Sequence, residues 1–137
     1  YETVLAPAPT EGVRVMPEAV AAALRSAMVD VVEHGTAVRA RGALVAGDGR
    51  PAVVGGKTGT GDHRYKISGP GGTLLESRVV NRTATFVFLI EDRYYGVVTA
   101  FVSGPEAAGF AFTSSLPAQI FKVLAPSLSR LVPAEAG

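Results

Sequence analysis

Thr83-Ala84-Thr85-Phe86-Val87-Phe88-Leu89-Ile90, followed by Glu91-Asp92-Arg93 and then by Tyr94-Tyr95-Gly96-Val97-Val98-Thr99-Ala100-Phe101-Val102, sets the architecture of this chain. Both arms are dense in β-branched and aromatic residues, the composition of strands that pack against something. The charged triplet between them is short enough to reverse the chain, so 83–102 predicts an antiparallel hairpin, closed by Ser103-Gly104-Pro105. Phe86, Phe88, Tyr94, Tyr95 and Phe101 read as the interior of that sheet. Upstream, Pro17 stands where a helix favours its first residue, with Glu18 in the first turn. Val20, Leu24, Ala27, Met28, Val31 and Val32 recur at helical spacing, and His34 and Gly35 give the stop. The spacing predicts a helix over 17–34.

Ala52-Val53-Val54 opens a further strand that runs to Gly61. Residues 36–51 read as loop with a short extended piece. Residues 62–80, polar and rich in glycine, read as a long connection with room for a short hairpin. Ser114 or Ser115 caps a last helix with Pro117 in its first turn, Leu116, Ile120, Phe121 and Leu124 apolar, and Pro126 as its stop. Helix, strand, hairpin, helix is the order of an α+β, sandwich-like fold: an antiparallel sheet flanked by helices. The expected organisation is a Pro/Ala-rich arm over 1–12, a folded part over 13–125 and a tail over 126–137.

With 137 residues, the chain has room for one modest core. A net charge of +1 argues against a protein held on nucleic acid by phosphate contacts. The absence of cysteine excludes disulfides and thiol catalysis, and His34 and His63 alone make a metal site improbable; no cofactor is expected. No apolar run reaches the roughly 20 residues that span a bilayer. The start at Tyr1, with no signal-peptide pattern, leads us to expect a piece of a longer protein. The charge is uneven: residues 39–93 carry nine basic and five acidic side chains, so a solvated surface and an anion-attracting groove are both open.

Gly55-Gly56-Lys57-Thr58-Gly59-Thr60-Gly61 is the most informative segment. A plain turn or strand end is one reading. A phosphate loop is a second, since Gly56-Lys57-Thr58 ends like a Walker A motif, but Pro51 stands at its first glycine and Gly59 and Gly61 interrupt the helix it needs. The third is an edge strand beside a ligand groove. Alternation then puts the Thr58 and Thr60 hydroxyls on one face to bind a carboxylate, with Lys57 on the other as a fixed cation. Gly59 and Gly61 admit a substrate backbone, and a free N–H on the edge can serve as an oxyanion donor.

Lys57-Thr58-Gly59-Thr60, entered through Val53-Val54-Gly55-Gly56 and preceded by Gly35-Thr36-Ala37 at the helix end, resembles the Lys-Thr-Gly box of the penicillin-binding proteins and their serine β-lactamase relatives. The resemblance spans roughly 13–125 and is strongest to the C-terminal half of the transpeptidase domain in the bifunctional, glycosyltransferase-linked class. It implies a five-stranded antiparallel sheet flanked by helices. It implies that Lys57 bonds the serine of the family's second motif, that Thr58 and Thr60 bind the carboxylate of a D-Ala-D-Ala stem peptide or a β-lactam, that the Thr60 N–H is half of the oxyanion hole, and that Gly59 permits close approach. It also implies an extracytoplasmic (periplasmic) setting, with membrane anchorage only through a missing N-terminal part.

The nucleophile is absent. The family acylates a serine with lysine three residues later, and none of Ser26, Ser68, Ser77, Ser103, Ser114, Ser115, Ser127 and Ser129 has that partner. Arg130, three after Ser127, stays protonated and is no base. The Ser-x-Asn motif is missing too, Asn81 being the only asparagine. The expected partner is therefore the N-terminal half of the same domain, with a non-catalytic peptide-binding module as the alternative and a β-lactamase or carboxypeptidase fragment as a third. Thr83-Ala84-Thr85-Phe86 departs from the Asp-Ala-Trp-Phe-like stretch usual in this class. Asp62, His63, Arg64 and Lys66 read as solvated surface or as substrate contacts, His63 as a general base being the weaker idea, and the Asn81-Arg82-Thr83 sequon reads as chance.

Overall fold

The computed structural model describes residues 12–132. Most of the expected 1–12 arm and the last residues of the expected tail, 133–137, therefore lie outside the described residues. Two α-helices and three strands are found among the described residues, in the order α1 (Glu18–Glu33), β1 (Val54–Ser68), β2 (Leu74–Ile90), β3 (Tyr94–Ser103) and α2 (Ser115–Leu128). The strands form one antiparallel sheet in the order β1-β2-β3. This is the expected α+β arrangement, with three strands among the described residues where the resemblance implied five.

Register decides which residues share a face. Val54, Gly56, Thr58 and Thr60 pair with Ile90, Phe88, Phe86 and Ala84, which pair in turn with Tyr94, Gly96, Val98 and Ala100. Side chains alternate across strands, so these twelve residues point to one side, and α2 covers it. Phe121 of α2 meets Phe86 edge-on at 5.5 Å between ring centroids and Phe88 at 4.7 Å. Val32, Leu44, Ala118, Ala125 and Val132 complete this core. On the opposite side α1 crosses β1 at Gly55, where a Cβ would lie 3.1 Å from the Val29 nitrogen and 3.2 Å from the Met28 carbonyl carbon. Helix and strand meet backbone to backbone there, an approach only glycine allows.

Four expectations are revised. The apolar stripe of α1 is mostly uncovered: Val32 is buried, but Val20 and Leu24 face solvent because α1 leans on the sheet only near its C-terminal half. The 62–80 connection is strand at both ends. β1 continues to Ser68 and β2 starts at Leu74, leaving a short turn over 69–73. In the aromatic set, Tyr94 shares the core face, whereas Tyr95 and Phe101 fall one residue out of phase and point away from it, 90% and 60% exposed. Finally, Pro126 lies inside α2. It forgoes the bond its N–H would make one turn back, but the Ser129 N–H and hydroxyl both close onto the Ala125 carbonyl and carry the turn onward. Packed structure thus extends through Val132, whose carbonyl accepts from the Gly47 N–H at 3.0 Å.

The hairpin turn is held from below. Glu91 adopts φ of 53°, a left-handed conformation uncommon outside glycine. Its carboxylate accepts from Arg50 Nη1 at 2.9 Å and from the Val53 N–H at 3.0 Å, joining the turn to the start of β1. Arg25 of α1 contacts Asp92 in the same turn.

Candidate functional site on the open edge of β1

Among the described residues β1 is an edge strand, as the segment's third reading expected. The Glu91 N–H donates to the Val53 carbonyl at 2.8 Å, and the register holds without a shift as far as His63. In an antiparallel ladder backbone groups point alternately toward and away from the neighbouring strand. Residues 55, 57, 59 and 61 therefore bond to β2, while the N–H and C=O groups of Thr58 and Thr60 face the open edge. The Thr60 N–H thus points away from β2.

Lys57 projects on the face opposite Thr58 and Thr60, as alternation requires, but its ammonium returns to the edge and donates to the Thr58 carbonyl at 2.6 Å. Among the described residues it has no carboxylate partner. The other cations nearby are largely matched: Arg64 with Asp62 at 3.2 Å, Arg50 with Glu91, and Arg78 over the Tyr65 ring at 5.2 Å. Lys57 is thus one of the cations of the central region without a carboxylate partner among the described residues, and the one whose ammonium sits on the edge beside Thr58.

The two threonines share a face but not an environment. Thr58 is 8% exposed, the one buried polar residue among those described, and its hydroxyl lies 2.6 Å from the Thr36 hydroxyl. Thr60 is exposed, and its Oγ1 accepts from the Ser114 N–H at 2.8 Å. The Thr58 hydroxyl is therefore not an unoccupied group waiting in a groove; it is half of an internal pair at the rim of the core. Gly59 and Gly61 have nothing within 4 Å of where a Cβ would stand, so the surface over them is open to a ligand's main chain.

Thr36 and Ser114 were not singled out by the sequence for this site. Thr36 appeared only as company for the Lys-Thr-Gly box, and Ser114 only as a helix cap. Ser114 does sit at the N-cap of α2, but its side chain makes no capping bond. His63 lies farther along β1, where its Nδ1 is 2.9 Å from Asn81 Oδ1 across the strand pair. His34 closes α1, its N–H donating to the Asp30 carbonyl at 2.9 Å.

No protein-family model matches this chain, and no curated protein matches it significantly. Among the described residues there is no cluster of three or more metal-ligating side chains, and no helix is long and apolar enough to cross a membrane.

Proposed function

We propose that this chain is the C-terminal half of a peptidoglycan D,D-transpeptidase domain. In this role β1 is the substrate clamp: Thr58 and Thr60 receive the carboxylate of a D-Ala-D-Ala stem peptide or a β-lactam, Gly59 lets the ligand's main chain approach, and the Thr60 N–H stabilises the tetrahedral oxyanion. Lys57 supplies the fixed cation. The nucleophilic serine and its lysine come from the N-terminal half of the domain, which acts outside the cytoplasm and carries the membrane anchor. The carrying observation is the meeting, on a strand edge that no other described strand pairs, of an ammonium without a carboxylate partner among the described residues, the exposed Thr60 hydroxyl and an outward backbone N–H, with the buried Thr58 hydroxyl beside them at the rim of the core. Exposed apolar surface on α1 and on the sheet face away from α2 further supports a missing half.

The chain alone is expected to form no acyl-enzyme with penicillin, which intact-mass spectrometry checks directly; a stoichiometric adduct on any of its serines refutes the division of labour. Complemented with a half-domain bearing Ser-x-x-Lys, it is expected to support acylation, and Lys57→Ala to slow that step by roughly 10²–10³-fold, the usual scale for losing one preorganised charge-stabilising group. Unchanged acylation in the variant removes Lys57 from the mechanism. Capture of a stem peptide without any gain of acylation on complementation instead selects a non-catalytic module that reads a peptide by its sheet edge.

A further inference from the structure

The Thr58 and Thr60 hydroxyls of β1 are each held by a residue brought from a helix end. Thr36 follows the close of α1, and Ser114 immediately precedes α2. We propose that Thr36 and the Ser114 N–H are positioning groups that turn the Thr58 and Thr60 hydroxyls into outward donors for a ligand carboxylate. This rests on the clamp reading above and adds to it residues outside the Lys-Thr-Gly box.

The argument is one of donors and acceptors. A backbone N–H only donates, so at 2.8 Å from Ser114 the Thr60 oxygen accepts, and its proton is left for another partner. In the Thr36–Thr58 pair either oxygen can donate at 2.6 Å. An ionised carboxylate only accepts. It therefore selects the arrangement in which Thr36 donates to Thr58 and Thr58 donates to the ligand, and each bond polarises the next. Thr36 is exposed while Thr58 is buried, so the pair spans the rim where core meets solvent. Without Thr36, the Thr58 hydroxyl loses the contact that fixes its rotamer and its proton is free to turn to any nearby carbonyl.

The test uses the full chain, with N-acetyl-D-alanyl-D-alanine as probe and its C-terminal amide as the control that lacks a carboxylate. Thr36→Val removes the hydroxyl at nearly constant volume, and Thr36→Ser retains it. Thr36→Val is expected to weaken binding of the acid about tenfold, the scale of one charge-assisted hydrogen bond, to leave the amide unchanged, and to be rescued by Thr36→Ser. At the other hydroxyl, Ser114→Pro removes the N–H at a φ of −59° that proline adopts. It is expected to weaken the acid similarly, while Ser114→Ala, which keeps the N–H, binds as the parent does. Acid binding unaffected by Thr36→Val, or not restored by Thr36→Ser, overturns the inference. A parent chain that prefers the acid no more than the amide refutes the clamp reading instead. The Thr58 side-chain rotamer, followed by NMR couplings, then decides the positioning: one rotamer in the parent and averaging in Thr36→Val sustain it, and no change overturns it.

Discussion

Two faces of one sheet differ in what covers them. Ala84, Phe86, Phe88 and Ile90 point toward α2 and are buried against it, while on the other side Val87, Tyr95, Val97 and Phe101 point into solvent beyond the place where α1 crosses Gly55. Both faces are apolar in composition. Apolarity in a strand therefore says that a surface is built to be covered, not that the chain itself covers it. The filled face accounts for stability, and the other leaves apolar side chains open to water among the described residues. The edge that carries Lys57 and Thr60 lies between them.

The largest effect expected from breaking this contrast is at Phe86. Its ring is fully buried, with Phe88 5.9 Å and Phe121 5.5 Å away between centroids. Phe86→Ala is expected to cost about 3–5 kcal/mol, a large share of the stability a domain of this size has. Urea denaturation followed by far-ultraviolet circular dichroism measures it. A loss under about 1 kcal/mol means that the filled face is not the core.

The glycines of β1 sharpen the comparison on a smaller scale. A methyl at Gly56 meets the Phe86 ring and lies 2.6 Å from the Val87 carbonyl oxygen, whereas a methyl at Gly59 meets nothing within 4 Å. Gly56→Ala is expected to destabilise by about 1–3 kcal/mol. Gly59→Ala is expected to leave the midpoint in place or to raise stability by about 0.5–1 kcal/mol, since glycine is costly within a strand. Equal losses at both positions contradict an open surface over Gly59, and with it the room for a ligand's main chain.

Much of this fold was legible in the sequence. Helical spacing places α1 to within a residue, the hairpin of β2 and β3 follows from its two apolar arms, and period-two alternation puts Thr58 and Thr60 on one face with Lys57 on the other. The room left for a hairpin within 62–80 is filled, but its continuity with β1 and β2 escaped because the outer strands bury almost nothing. Cross-strand pairs such as His63 with Asn81 and Tyr65 with Arg78 hold them, and such pairs leave no hydrophobic period to read. Pro126 misled because a proline's cost near a helix end is set by what replaces the lost bond, here Ser129 closing onto Ala125. At the site, the strand's own residues were readable, but Thr36 and Ser114 reach it from 22 and 54 residues away. Only tertiary packing makes those contacts.

The smallest expected change in stability comes from the bare face, and there the informative quantity is association. Val97 and Phe101 are each 60% exposed and lie four residues apart on β3, on the same side of the sheet. Replacing both by threonine keeps β propensity and removes no buried contact, so the unfolding free energy is expected to stay within about 0.5 kcal/mol of the parent. Apolar area open to water on an unpartnered sheet drives copies together, so sedimentation velocity is expected to show concentration-dependent association in the parent and much less in the double variant. A parent that stays monomeric at high concentration, or a variant that associates equally well, shows that this face is not built to be covered. A variant that loses several kcal/mol shows that the face is already covered by the chain itself, and the distinction between the two sides of the sheet then fails.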